Sequence, residues 1–343
     1  MNEVRPRLAV TVGDPAGVGP EVVVAALADE AVAAACDAVV FGDPAWLGTV
    51  ACRLGVPVPR EVVPAAPVPD GLVPGRASAE GGEAAWQSLV AAVEACRRGE
   101  ADALVTAPLN KVALDLAGHG HHGHTEILQR LTGSPWSLTL FLTGTLRVLF
   151  YTRHVSLREA IDAISAGGIC ETLERFCSVA PAIGLARPRI AVAGINPHCG
   201  EGGRFGTEEL EHIAPGVELA RSRGLDVHGP VPGDTVFQLA RRGDYDIVLS
   251  FSHDQAAGIG KSIDFAGTVS VTLGLPFLRV SVDHGTAFDL VGHNLADPAN
   301  MRTALLSAAK LLAHGAGRSG LSGPETPIRE RGSGTQIEKP LPG

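Results

Sequence analysis

The chain has 343 residues, 45% hydrophobic but only 4% aromatic, with 42 Gly, 24 Pro and a formal net charge of −9. That length exceeds one ordinary core and fits two lobes around a cleft, and an apolar fraction built from Ala, Val and Leu is that of a globular enzyme. The acidic balance argues against sequence-independent nucleic-acid binding, which needs clustered Lys and Arg, so an anionic ligand must be met by a few local cations.

Cys36, Cys52, Cys96, Cys170, Cys177 and Cys199 form no C-x-x-C pair and sit mostly in apolar helical stretches, a pattern of free thiols that predicts a cytoplasmic location. The start, MNEVRPRLAVTVGDP, has no apolar signal-peptide core, and no run of ~18 uncharged apolar residues predicts a membrane span.

A first strand is expected over 7–12, running into Gly13-Asp14-Pro15-Ala16-Gly17-Val18-Gly19-Pro20-Glu21 and a helix over 22–28. Such a turn can offer backbone N–H groups to an anion, but its spacing is not G-x-G-x-x-G, so spacing alone favours a plain tight turn. A strand over 38–41, helices over 45–54 and 82–98 and a strand over 103–107 continue an alternation that predicts a parallel sheet. That strand ends in TAPLNK, followed by a loop with His119, His121, His122 and His124. Histidines alternating with glycine can bind metal, but the plainer reading leaves His119, His121 and His122 solvated. Thr125 is expected to cap a helix over 126–131 and to hold His124 at its start.

Strands are expected over 138–142, 146–151, 190–195, 246–249, 269–273 and 277–282, with helices over 157–164, from Thr207, and over 301–314. His154, His198 and His253 each directly follow one of these apolar strands. A lone histidine at a strand end is commonly a hydrogen-bonded structural group, and these separations match no local metal motif. Their repeated position opens a second reading: sheet topology can gather strand ends, and three neutral imidazoles leave a metal positions free for substrate. Asp234, in the turn GPVPGDT, is by residue type a helix cap, or else an active-site carboxylate. Lys261 and Arg279 supply cations near the polar turn Asp283-His284-Gly285-Thr286, whose glycine permits close backbone approach to a ligand. The tail over 316–343 has too little apolar character to build a core and is expected to be disordered.

The motifs GDPAGVGPEV, TAPLNK, GHTEIL, NPHCGEGGRFGTEE, GPVPGDTVF, SHDQ, TLGLPFLR and SVDHGTA occur in one order from about Leu8 to Leu312. In them the chain resembles the PdxA family, the 4-hydroxythreonine-4-phosphate dehydrogenases and their sugar-acid relatives. The resemblance implies an α/β fold, a two-lobed α/β/α sandwich like that of isocitrate and isopropylmalate dehydrogenases. The active site would lie in the interlobe cleft at a homodimer interface. One lobe would comprise 1–117 and 265–315, the other 118–264. The resemblance places a divalent metal (Zn, Co, Mn or Mg) on His154, His198 and His253, and substrate on His124, Thr125, Lys261, Ser270 and Arg279. NAD or NADP falls to Gly13, Asp14, Gly17, His284, Gly285, Thr286 and Asp297, and Lys111 and Asp234 are the candidate catalytic groups.

The implied reaction is oxidation of the C3 hydroxyl of a 4-phosphorylated 3-hydroxy acid, then decarboxylation. With 4-hydroxythreonine 4-phosphate it gives 3-amino-2-oxopropyl phosphate, CO2 and NADH. The chain departs from the vitamin B6 enzymes at Ser270, where they carry asparagine, and at Ser252 and Ala256, where they carry tyrosine and glycine. Ser270 leaves room for 4-phospho-D-threonate or 4-phospho-D-erythronate, which would yield dihydroxyacetone phosphate. A three-histidine metal hydrolase and a silent phosphate-binding module are the rivals from other classes. The HGTA loop argues against the first, and retention of all three histidines against the second.

Overall fold

A computed structural model describes residues 5–120 and 123–315. The expected disordered tail over 316–343, and the solvated reading of His121 and His122, lie outside the described residues. The chain runs β1 (Arg7–Thr11), α1 (Gly19–Leu27), α2 (Glu30–Ala35), β2 (Asp37–Gly42), α3 (Pro44–Leu54), β3 (Val62–Pro64), α4 (Ala79–Arg97) and β4 (Ala103–Thr106). It continues through α5 (Lys111–Leu116), α6 (His124–Thr132), β5 (Leu138–Thr143), β6 (Leu146–Phe150), α7 (Leu157–Asp162), α8 (Ala166–Val179) and β7 (Ile190–Ala193). The last part is α9 (Ala214–Ser222), β8 (Val227–Val231), α10 (Val236–Arg242), β9 (Ile247–Ser250), α11 (His253–Ile263), β10 (Thr268–Leu273), β11 (Leu278–Ser281) and α12 (Ala299–His314).

All eleven strands form one sheet in the order β3-β2-β1-β4-β11-β10-β5-β6-β9-β7-β8. The expected parallel sheet is found from β3 to β11. The β11-β10-β5-β6 ladders are antiparallel, and β6, β9, β7 and β8 are again mutually parallel. Strand direction therefore reverses across the centre of the sheet. The C-terminal ends of β6, β9 and β7 share one edge with the start of β11 and the end of β10.

Alternation along the strands gives the sheet two different faces. One carries a continuous apolar layer, including Leu8, Val10, Val105, Val271 and Val280, against α1, α8 and α12. The other carries two separate clusters. One, around Leu104, Leu114, Ile127 and Leu128, lies under α4 to α6, and one, around Phe141, Val148, Ala256 and Ala257, under α11. Between them the alternate residues of β10 and β11 are polar, and that interruption positions the site.

Two local readings are corrected. Thr125 is not a cap: Gly123 takes the N-cap position of α6, without a side-chain cap, and His124 and Thr125 are helical. Asp234 does not cap α10, whose N-cap is Thr235; it accepts instead from the Thr235 hydroxyl at 2.9 Å. His253 follows β9 as expected and also opens α11, where the Ser252 hydroxyl accepts from the Gln255 N–H. Gly258 and Gly260 weaken helix propensity enough to hide α11 in the sequence.

Candidate active site

The floor of the gap is a strip of hydroxyls around one guanidinium. In the ladders Thr272 pairs with Arg279, Ser270 with Ser281, and Ser281 with Thr106, so these side chains share one face. Arg279 is 4% exposed. It donates to Thr106 Oγ1 at 2.7 and 3.1 Å and to Thr272 Oγ1 at 3.1 Å, and makes no ion pair among the described residues. Burial pulls its pKa down to about 9, opposed by Glu126. A buried cation held by neutral hydroxyls alone is poorly compensated, and an anionic ligand supplies what is missing.

Over this floor lies the start of α6. His124 is kept neutral: burial, reinforced by the Arg279 charge, holds its imidazole well below the ordinary value. Its Nε2 is buried without a hydrogen-bond partner. Lys111 opens α5, and a side chain at Gly123 would meet both the Lys111 ammonium arm and the Glu126 carboxylate. His119, expected to be solvated, is instead docked. Its ring stacks on Trp86 of α4 at 4.2 Å and 13°, and its Nε2 lies 2.6 Å from a Glu83 carboxylate oxygen. Arg130, near the other end of α6, also lies over Trp86.

His154, His253 and His198 follow β6, β9 and β7, adjacent parallel strands, so their strand ends stand side by side. Thr152 Oγ1 donates to the Phe251 carbonyl at 2.5 Å, tying the ends of β6 and β9 together. The His154 and His253 rings are 5.8 Å apart between centroids. Metal–nitrogen bonds of ~2.0–2.1 Å in a tetrahedral site put two ring centroids roughly 5–6 Å apart, so this pair fits one ion. Burial, then the Lys111 charge, lowers the His154 pKa and keeps its lone pair available. His253 Nδ1 contacts Asp254 Oδ1 at 2.9 Å, which leaves Nε2 for a ligand. His198 does not complete the set: it sits in a left-handed turn at φ 52°, and no group of three or more candidate ligands is gathered among the described residues.

The two glycine turns lie against each other. Val18 N–H donates to the Thr286 carbonyl at 2.9 Å, and a side chain at Gly17 would come within 2.9 Å of Thr286 Cβ. At Gly13 and Gly19 it would strike the carbonyls of Pro108 and Val12 at 2.1 Å. These glycines are needed because the chain itself fills their space. Gly285 is different, with nothing within 4 Å of its side-chain position. His284 Nε2 is a second buried nitrogen without a partner. Asp14 is buried beside the N-terminus of α4; one carboxylate oxygen accepts from Ala16 N–H and the other has no partner, and burial raises its pKa to about 6.

The remaining sequence-selected residues are placed as follows. Lys261 already faces a carboxylate, with its Nζ 2.9 Å from Asp283 Oδ2. Ser270 is half-buried on the floor strip, whereas Asp234 is exposed on the β8–α10 turn. Asp297, also exposed, accepts from Ala299 N–H in the first turn of α12. The sequence reading passed over Thr106, Thr272 and Glu126, which surround Arg279. The hydroxyls at alternate positions 268, 270 and 272 were the available signal.

Known proteins resemble this chain over most of its length. The family model described as "Pyridoxal phosphate biosynthetic protein PdxA" matches residues 34–308. The D-threonate 4-phosphate dehydrogenase of Cupriavidus necator is 42% identical over 328 residues, covering 91% of this chain and 98% of that one. The 4-hydroxythreonine-4-phosphate dehydrogenase of Trichlorobacter lovleyi is 39% identical over 334 residues, covering 91% and 99%. The crystal structure of a 4-hydroxythreonine-4-phosphate dehydrogenase from Burkholderia phymatum is 42% identical, with a TM-score of 0.80 over 90% of this chain and 99% of that chain. The Klebsiella pneumoniae structure of the same name is 37% identical with a TM-score of 0.83 over the same shares.

Proposed function

From the premise that this chain belongs to the PdxA family, and so to a family of dehydrogenases, we propose that it oxidises the C3 hydroxyl of D-threonate 4-phosphate with NAD or NADP and releases CO2. The product would be dihydroxyacetone phosphate. The observation that carries this reading is Arg279, a buried cation whose partners are all neutral, beside the neutral His124 with its unpartnered Nε2. That combination suits a phosphate dianion and a hydroxyl-bearing acid. Ser270 and the relatives named for D-threonate 4-phosphate favour a hydroxyl at C2. A second reading, 4-hydroxythreonine 4-phosphate, is supported by a relative of that name at 39% identity.

In this reading Arg279 binds the phosphate, and Thr106 and Thr272 hold its guanidinium in place. His124 accepts or donates a hydrogen bond at the substrate hydroxyls, and Ser270 borders the C2 substituent. His154 and His253, with His198 as the third ligand implied by the resemblance, would hold a divalent cation. That ion supplies a Lewis acid for charge building up on the C3 oxygen. His284, Gly285 and Thr286 would meet the dinucleotide, which supplies the hydride acceptor. Lys111 and Asp234 are the side chains proposed to handle the C3 hydroxyl proton and the proton added after decarboxylation.

The test is NADH formation with D-threonate 4-phosphate, D-erythronate 4-phosphate and 4-hydroxythreonine 4-phosphate as alternatives. The proposal expects the highest kcat/KM with the first. No reduction of either dinucleotide with any of the three would overturn it.

A further inference from the structure

Buried side-chain atoms without partners mark where this chain expects something else. Among the described residues, buried side-chain atoms with no hydrogen bond belong to Thr11, Asp14, Glu21, Trp46, His124, Arg153, Asp283 and His284, of which Asp283 is ion-paired with Lys261. Asp14, His124 and His284 were already selected by the sequence as site residues, and Asp283 belongs to the same turn as His284. Arg153 was not. Its Nη1 is buried, and no hydrogen bond or ion pair holds its guanidinium among the described residues. A buried cationic donor left unpaired costs far more than a surface one, so its retention calls for an acceptor that arrives with a ligand.

The position of Arg153 limits what that ligand group can be. It lies between Thr152, which is tied to β9, and His154, which faces His253. Arg279 is on β11, and β10 and β5 stand between β11 and β6. At ~4.8 Å per strand those two backbones are about 14 Å apart. The two arginines thus stand at the same end of the sheet, three strands apart, with the histidine pair beside Arg153. In a 4-phosphorylated 3-hydroxy acid the carboxylate carbon is two bonds from C3, whereas phosphorus is three bonds away on the other side. With Arg279 taking the phosphate, the cation next to the histidine pair is suited to the carboxylate.

We propose that Arg153 is a substrate-binding residue that pairs with the C1 carboxylate of the phosphorylated acid, a role resting on the proposed function. Planar guanidinium matches carboxylate with two parallel hydrogen bonds, which lysine cannot reproduce.

The experiment compares wild type, Arg153→Gln and Arg153→Lys by calorimetric titration with two ligands. One is D-threonate 4-phosphate, which has both anionic groups; the other is dihydroxyacetone phosphate, which lacks the carboxylate. Arg153→Gln should bind the acid about 10- to 100-fold more weakly and dihydroxyacetone phosphate as wild type does. Arg153→Lys, which keeps the charge, should fall between. Equal weakening toward both ligands would assign Arg153 to the phosphate and overturn the carboxylate role. Unchanged binding of both, with or without an altered sedimentation coefficient, would overturn it too and place the partner of Arg153 elsewhere. A wild type that binds neither ligand would defeat the proposed function itself, and this role with it.

Discussion

Replacing Arg279 by methionine should separate stability from binding. At neutral pH a guanidinium whose pKa burial pulls down to about 9 carries a burial cost of roughly 5 kcal/mol, at 1.36 kcal/mol per pH unit. The sign follows from the depressed value. The unfolded chain binds this proton more tightly, so the cost is present in full below pH 9 and is relieved as pH rises from there toward the ordinary arginine value. Against it stand three hydrogen bonds to Thr106 and Thr272, each contributing about 0.5–1.5 kcal/mol. Together they offset about 1.5–4.5 kcal/mol of that cost, so Arg279→Met should leave the unliganded stability unchanged or raise it by up to about 3.5 kcal/mol. Binding should respond differently. Losing a charge-assisted contact of about 1.5–3 kcal/mol weakens the phosphorylated acid by roughly one to two orders of magnitude. Denaturant melts with and without D-threonate 4-phosphate measure both quantities. A ligand at 100 times its dissociation constant stabilises by about 2.7 kcal/mol, and most of that gain should vanish in the variant. A variant that loses more than about 3 kcal/mol unliganded while keeping the ligand-induced gain would show Arg279 to be a structural residue only.

Other substitutions probe separate parts of the site. Asp14→Asn should raise stability at pH 7 by up to roughly 3 kcal/mol. The buried carboxyl titrates near 6, so wild type should lose stability as pH rises from about 4 to 6, and the variant should not; Tm against pH gives both curves. Gly17→Ala places a methyl 2.9 Å from Thr286 Cβ, so it should cost about 1–3 kcal/mol and raise KM for the dinucleotide more than for the acid. His154→Ala and His253→Ala should each lower bound zinc or manganese, assayed by mass spectrometry, roughly tenfold or more; full metal content in both would dissolve the pairing. Ser270→Asn should shift relative kcat/KM from D-threonate 4-phosphate toward 4-hydroxythreonine 4-phosphate by about 1–3 kcal/mol, and an unchanged ratio would clear Ser270 of any part in selecting the C2 group.

Local signals in this chain read well where one backbone segment decides the outcome. The apolar runs over 7–12, 138–142 and 146–151 gave strands because burial on both faces leaves a continuous hydrophobic stretch. Caps were harder. Thr125 and Asp234 have the right chemistry for N-caps, yet tertiary packing starts α6 two residues earlier and α10 one residue later than that chemistry asks. Spacing alone read GDPAGVG as a plain tight turn, and only the three-dimensional contacts with Pro108, Thr286 and Val12 show that the chain itself occupies the space at Gly13, Gly17 and Gly19. Lys261 and Arg279 are both cations in the sequence. Their difference lies in Asp283, which meets one and not the other, and no spacing rule carries that information. His119 was misjudged because its partners, Trp86 and Glu83, lie on a helix more than thirty positions earlier.

The reversal of strand direction also sets a timetable for synthesis. β4 takes β1 on one side within its own half of the chain, but its other side waits for β11. Thr106 and Arg279, bonded in the finished site, are separated by 173 positions. At about 5–20 residues per second a ribosome leaves the free edge of β4 without its partner for roughly 10–35 s. Of the β4 residues only Thr106 is polar, against Ala103, Leu104 and Val105, so for that interval the open edge is an apolar one, the kind of template on which a neighbouring chain can pair. The arrival of β11 therefore covers that edge in the same step that brings Arg279 to Thr106.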